Sequence, residues 1–140
     1  MTYTDFLLPV FVEVFLIFVL LVLMGRARHE SISSGGTKLD DIALDNRNYG
    51  SRARQFANSF SNQFELPTLF FALVAFILIT RVGNLLLLVL AWIFVLSRIG
   101  HAFIHTTSNN VMQRTGFYAV GVVVLFAMWV IFALRILIVI

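Results

Sequence analysis

Four apolar runs, three of them long enough to cross a bilayer, constrain this 140-residue chain more than any other feature. A hydrocarbon core of about 30 Å takes about 20 helical residues. Phe6 to Gly25 is one such run, interrupted only by Glu13. Leu85 to about Ile104 carries Arg98 and His101, and Gly116 to Ile140 carries Arg135. The remaining run, Leu66 to Thr80, is only 15 residues long, so it must take about five more from the polar segment before it. The reading is an all-α integral membrane protein, one domain over 1–140, folded as a four-transmembrane-helix bundle. The expected helices are about 5–25, 52–80, 84–105 and 114–140, with a loop over about 26–51. Arg81-Val82-Gly83-Asn84 reads as a tight turn, which makes the second and third spans an antiparallel hairpin.

Composition agrees. The chain is 60% apolar and 12% charged, against about 45–50% and about 25% for a soluble domain, which excludes a water-soluble globule and a disordered chain. There is no cysteine, so a disulfide framework, a Cys-ligated metal and a protein thiol nucleophile are all excluded. Any thiol chemistry would use a bound molecule's thiol. A net charge of +3 is too small to argue for nucleic acid. The first run has no basic segment before it and ends in Gly25-Arg-Ala-Arg-His29, so it reads as a retained span rather than a cleaved signal peptide.

The positive charges are placed asymmetrically. Six of the ten Lys/Arg (Arg26, Arg28, Lys38, Arg47, Arg52, Arg54) lie between the first two spans, and Arg114 lies between the last two. The positive-inside rule then puts both of these loops in the cytoplasm and both termini outside, which in a bacterium means an inner-membrane protein with periplasmic termini. Within the first loop, Ser33-Ser-Gly-Gly36 reads as flexible and Thr37-Lys-Leu-Asp40 as the start of a short helix.

Ionisable residues at membrane depth cost roughly 2.5–3.5 kcal/mol on insertion scales and usually mark function or a structural pair. Arg54, Asn58, Asn62 and Glu65, spaced four, four and three, form one stripe at the loop-side end of the second span. Arg98, His101 and His105 share a face of the third span at the depth of Glu65. A contact between Glu65 and Arg98 is expected, as a functional or a purely structural bridge. His101 and His105 have the spacing of a helical metal pair, but Ala-Phe-Ile between them and the lack of a third ligand favour hydrogen bonding over zinc. Arg114 and Tyr118 open the last span on one face, where an interface anchor and a belt aromatic are the plainer readings. Glu13 and Arg135, both toward the termini side, are expected to pair, within or between subunits. A lone four-helix unit would also leave the Arg98 face partly against lipid, which favours assembly.

These residues resemble the MAPEG family, the membrane-associated proteins in eicosanoid and glutathione metabolism. Arg98-Ile-Gly-His101, then Arg114 thirteen residues on, then Tyr118, is similar to the pattern of its prostaglandin synthase members, and Asn62-Gln-Phe-Glu65 is similar to their Asn-x-x-Glu. The stretch Asn62 to Phe71 looks most like the bacterial branch. The resemblance implies a homotrimer with glutathione between subunits near the cytoplasmic side. It implies glutathione contacts at Asn62, Glu65, His101, Arg114 and Tyr118, a supporting role for Arg98, and thiolate stabilisation by Arg114. Two positions depart from the pattern: active members carry Arg where Asn58 stands, and the prostaglandin synthase has Tyr where His105 stands. Arg52 or Arg54 would replace the missing charge.

Two functions remain open. One is a glutathione-dependent transferase or peroxidase, with Arg114 catalytic and Asn62, Glu65, Arg98, His101, His105, Tyr118 and Arg54 binding glutathione, acting on a lipophilic substrate that arrives through membrane lipid. The other is a non-catalytic scaffold, or an accessory subunit of a larger membrane complex, since fold does not dictate function.

Overall fold

The computed structural model describes residues 1–138. The described residues form six α-helices: α1 Tyr3–Ser33, α2 Leu39–Ile42, α3 Ser51–Asn62, α4 Leu66–Thr80, α5 Leu85–Thr106 and α6 Val111–Leu137, with a 3-10 turn at Asn46–Asn48. Four stretches are long and apolar enough to cross a membrane: α1, α3 with α4, α5, and α6. Helix starts follow from local chemistry. The Thr2 N–H donates to the Asp5 carboxylate at 2.7 Å. The side chains of Asn84 and Asn110 accept from Leu87 N–H at 2.8 Å and Gln113 N–H at 3.1 Å, each satisfying a first-turn donor that the helix itself leaves free.

Two boundaries differ from expectation. The first helix does not end near residue 25 but runs through Arg26–Ser33. The extension is held by a small apolar cluster, Met24 and Ala27 against Ala53 and Phe56 of α3, and by the Arg28 guanidinium 5.0 Å from the centre of the Tyr49 ring. The second span is not one helix. It breaks over Gln63–Glu65, where Glu65 adopts φ −90°, ψ −99°. Pro67 explains the break: it has no N–H for the Gln63 carbonyl four residues back, and its ring clashes with that carbonyl in a continuous helix. Gln63 turns inward instead and donates from Nε2 to the Ser59 carbonyl at 3.2 Å.

The main core lies between α1, α4, α5 and α6, with Phe6, Phe70, Leu73, Val74, Ile77, Leu87, Ala91, Phe94, Val95, Leu125 and Met128 buried. The hairpin expectation holds in connectivity: Arg81 caps α4 in the left-handed region (φ 58°) and the chain turns into α5. The α4–α5 pair is bridged by large side chains, with the Phe70 and Phe94 rings stacked at 4.7 Å. At this turn Gly83 is forced by space, because a Cβ there would sit 2.6 Å from the buried Phe6 ring. Outward faces stay apolar: Phe11, Phe15 and Phe18 on α1, and Val123, Phe126 and Val130 on α6, are exposed, as suits surfaces that meet lipid or another copy.

Candidate functional site

The break before α4 brings Asn62 against α5. Arg98, fully buried, donates from Nη2 to the Asn62 side-chain oxygen and, at 3.4 Å, to the Asn62 backbone carbonyl. The Asn62 Nδ2 donates in turn to Glu65 Oε2 at 3.0 Å. Tyr118 of α6 reaches the same carboxylate oxygen at 3.5 Å, and its ring lies 5.8 Å from the Arg98 guanidinium carbon. The expected Glu65–Arg98 contact is therefore indirect, with the amide of Asn62 between the two charges. Glu65 itself is exposed on the single chain, because the break swings it out of the helical stripe.

Gly121 of α6 packs closely against Ser97, beside Arg98. A Cβ at Gly121 would stand 3.1 Å from Ser97 Oγ and 3.8 Å from Arg98 Cδ. Burial of Arg98 within one chain corrects the expectation that its face needs a neighbouring subunit to cover it.

The histidines form the next layer. His101 Nδ1 lies 2.9 Å from the backbone carbonyl of Arg114, tying α5 to the first turn of α6. A carbonyl only accepts, so Nδ1 carries the proton, and Nε2 of the neutral ring is an acceptor. That Nε2 is buried and unpartnered, as is Nδ1 of His105. The two rings sit edge to face at 5.5 Å, and the Tyr118 ring is 5.7 Å from His101. Arg114 is half-buried and donates from Nη1 to Asn109 Oδ1 at 2.6 Å.

The stripe of four does not converge. Arg54 and Asn58 are exposed and line a separate cleft of about 520 Å³ with Asn46, Tyr49, Gln55 and Asn109. Asn109, through Arg114, and Gln55, through the His105 backbone, border both that cleft and the cluster. Arg54 thus stands apart from Arg98, with no contact that replaces a missing charge at Asn58. Sequence reasoning missed Asn109, and also Gln55, whose Nε2 donates to the carbonyls of His105 at 2.8 Å and Thr107 at 3.3 Å and so fastens the end of α5. Helical spacing signals neither contact: Asn109 stands in the short turn before α6, and Gln55 reaches from α3 across to the end of α5.

Glu13 does not meet Arg135 within one chain. It is fully buried, both carboxylate oxygens lack a hydrogen-bond partner, and among the described residues no ion pair joins it to Arg135. Measured along their helices from the termini side, Glu13 is about 15 Å below Tyr3 and Arg98 about 20 Å below Leu85, so the two share a layer near the middle of the bundle.

A family model described as the MAPEG family matches residues 6–134. No curated protein and no solved structure matches the chain.

Proposed function

The chain belongs to the MAPEG family, and from that premise we propose that it is a membrane-embedded glutathione-dependent transferase or peroxidase acting on lipophilic electrophiles or hydroperoxides. The observation that carries this reading is the hydrogen-bonded set Asn62, Glu65, Arg98 and Tyr118, with His101 beside the Tyr118 ring and bonded to the Arg114 backbone carbonyl.

The residues present fit glutathione. The tripeptide has two carboxylates, an ammonium, amide N–H groups and a thiol. Arg114 offers a guanidinium that pairs with a carboxylate or a thiolate. The unpartnered Nε2 of His101 accepts from a ligand N–H or S–H. Glu65, exposed at the edge of the cluster, suits the ammonium. Glutathione supplies the thiol that a chain without cysteine lacks. An arginine keeps its proton in proteins, so Arg114 acts as a fixed positive charge that favours the thiolate, not as a base. The start of α6 adds backbone N–H groups and partial positive charge near it. Homotrimeric assembly, a bacterial inner-membrane location and termini on the periplasmic side belong to the same proposal. They are supported by the family and by the loop-side excess of basic residues.

A second reading, a non-catalytic member that acts as a scaffold or accessory subunit, is favoured by Asn58. It stands where active members carry Arg, and the nearby Arg54 is turned to a different cleft. Glutathione titration of the detergent-solubilised protein, followed by conjugation of an aryl halide, separates the two. Binding with turnover supports the enzyme, and binding without turnover supports the second reading. Absence of binding overturns both glutathione roles.

A further inference from the structure

Two sets of orphaned polar atoms lie in the middle of the bundle. Glu13 of α1 has no solvent exposure and two unpartnered carboxylate oxygens. Arg98 of α5 has no solvent exposure either. Its Nη2 is spent on Asn62, but its Nε and Nη1 have no partner. Buried polar groups in proteins are almost always satisfied, by protein or by ordered water. An unpaired ion at membrane depth is among the costliest arrangements a chain can adopt. Helices α1 and α5 pack against each other, and Glu13 and Arg98 lie at similar depths along them. Arg135, a cation toward the termini side, makes no ion pair with Glu13 within the chain.

No direct ion pair forms between Glu13 and Arg98. A bridging water needs two to four polar partners, and two acceptors on Glu13 with two donors on Arg98 supply four. We propose that Glu13 is the ionised counter-charge of Arg98, joined to it through internal water, and that it acts as a positioning residue holding the guanidinium on Asn62. In this arrangement the Arg98 fork is used from both sides: Nη2 orders the α3–α4 break, while Nε and Nη1 anchor to α1. The first helix, which contributes no side chain to the glutathione cluster, thereby sets the orientation of the group at its centre. The inference does not depend on whether glutathione binds.

Three measurements on the full-length protein in detergent test it. The chain has three glutamates, Glu13, Glu30 and Glu65, so infrared difference spectra of glutamate-labelled wild type and Glu13→Gln isolate one side chain. An ionised carboxylate band lost in the variant at neutral pH is expected. A protonated carboxylic-acid band lost there instead overturns the proposal. In a double-mutant cycle, Glu13→Gln should lower the unfolding midpoint of the wild type but leave Arg98→Leu unchanged or raise it. Equal drops in both backgrounds overturn it. Should Arg98→Leu fail to fold, the arginine Nε–H resonances decide: the signal absent from Arg98→Lys should shift in Glu13→Gln and return toward its wild-type position in Glu13→Asp. A signal that does not move in Glu13→Gln shows that Glu13 does not position the guanidinium.

Discussion

Arg98 and Glu65 do not touch; the side-chain amide of Asn62 takes a hydrogen bond from the guanidinium on one side and gives one to the carboxylate at 3.0 Å on the other. An amide suits this place because it is donor and acceptor at once, and it links the two charges without both being buried. The site is therefore hinged on a neutral residue.

The first prediction follows from that order of importance. Asn62→Leu removes the acceptor of a fully buried guanidinium and should cost about 1.5–3 kcal/mol, the range for a hydrogen bond to a charged group. Glu65→Gln, at an exposed position that keeps an acceptor oxygen, should cost less than about 1 kcal/mol. Unfolding in mixed micelles reads both. A larger loss for Glu65→Gln than for Asn62→Leu would contradict the geometry.

Arg114 is the sharper test of chemistry. Arg114→Ala should cut turnover by about 10²-fold, the usual loss when one preorganised electrostatic group is removed. Arg114→Lys, which keeps charge and loses the fork, should lose less. Glutathione affinity should fall less than turnover, and the bound thiol should titrate at higher pH in the Ala variant, as followed by thiolate absorbance. If Lys matches wild type and the thiol titration of Ala is unmoved, Arg114 is an interface anchor.

Gly83→Ala tests the termini-side packing. The new methyl group would meet Phe6 at 2.6 Å and Ile77 at 3.2 Å, both buried, and overpacking of this kind costs about 1–3 kcal/mol. Gly116 has nothing within 4 Å of the same position, and its replacement by Ala should gain up to about 1 kcal/mol of helix propensity. Opposite shifts in thermal midpoint are expected.

In the loop, Arg47 forms a hydrogen-bonded pair with Asp45, with Nη2 to Oδ2 at 2.9 Å, and holds the Asp45 carboxyl below its ordinary range. A carboxyl whose folded pKa is depressed adds stability above its unfolded pKa, near 3.9, and loses it as pH falls through the folded value. Both side chains are open to solvent, so the effect is small. Asp45→Asn should leave the thermal midpoint at neutral pH essentially unchanged. It should also remove any acid-side dependence that comes from this pair.

The four spans were legible because lipid leaves the chain few options, and hydropathy reports those options directly. Arg98, His101, Arg114 and Tyr118 were legible for a related reason: helical spacing puts them on shared faces, and continuous helices keep them there. Spacing failed where the helix itself stopped. Pro67 interrupts the second span, so Glu65 leaves the line that Arg54, Asn58 and Asn62 begin, and Asn62 inherits the contact expected of Glu65. Glu13 is a separate case. Within one chain it lies about 15 Å along α1 from the termini side, near the layer that Arg98 reaches about 20 Å along α5, so its nearest partner layer is not set by Arg135. Gln55 bonds from α3 across to α5, and Asn109 lies in the short α5–α6 turn, so spacing along a single helix signals neither contact.

Glu13 has one more consequence, in the order of synthesis. It precedes Arg98 by 85 residues, which at about 5–20 residues per second is roughly 4–17 s of translation. Through that interval α1 sits in the bilayer with an acidic group whose counter-ion does not yet exist. Central insertion of such a group is disfavoured by roughly 2.5–3.5 kcal/mol, whereas each Leu, Ile, Phe or Val contributes about 0.3–0.6 kcal/mol in the other direction. The mean hydropathy of 3.0 over an 18-residue stretch of α1, the highest of the four spans, offsets that deficit during the wait. The apolar excess of the first helix thus serves the nascent chain more than the finished bundle, and a variant with several of its outward Phe replaced by Ala should fail at insertion while Glu13 is present and recover when Glu13 is changed to Gln.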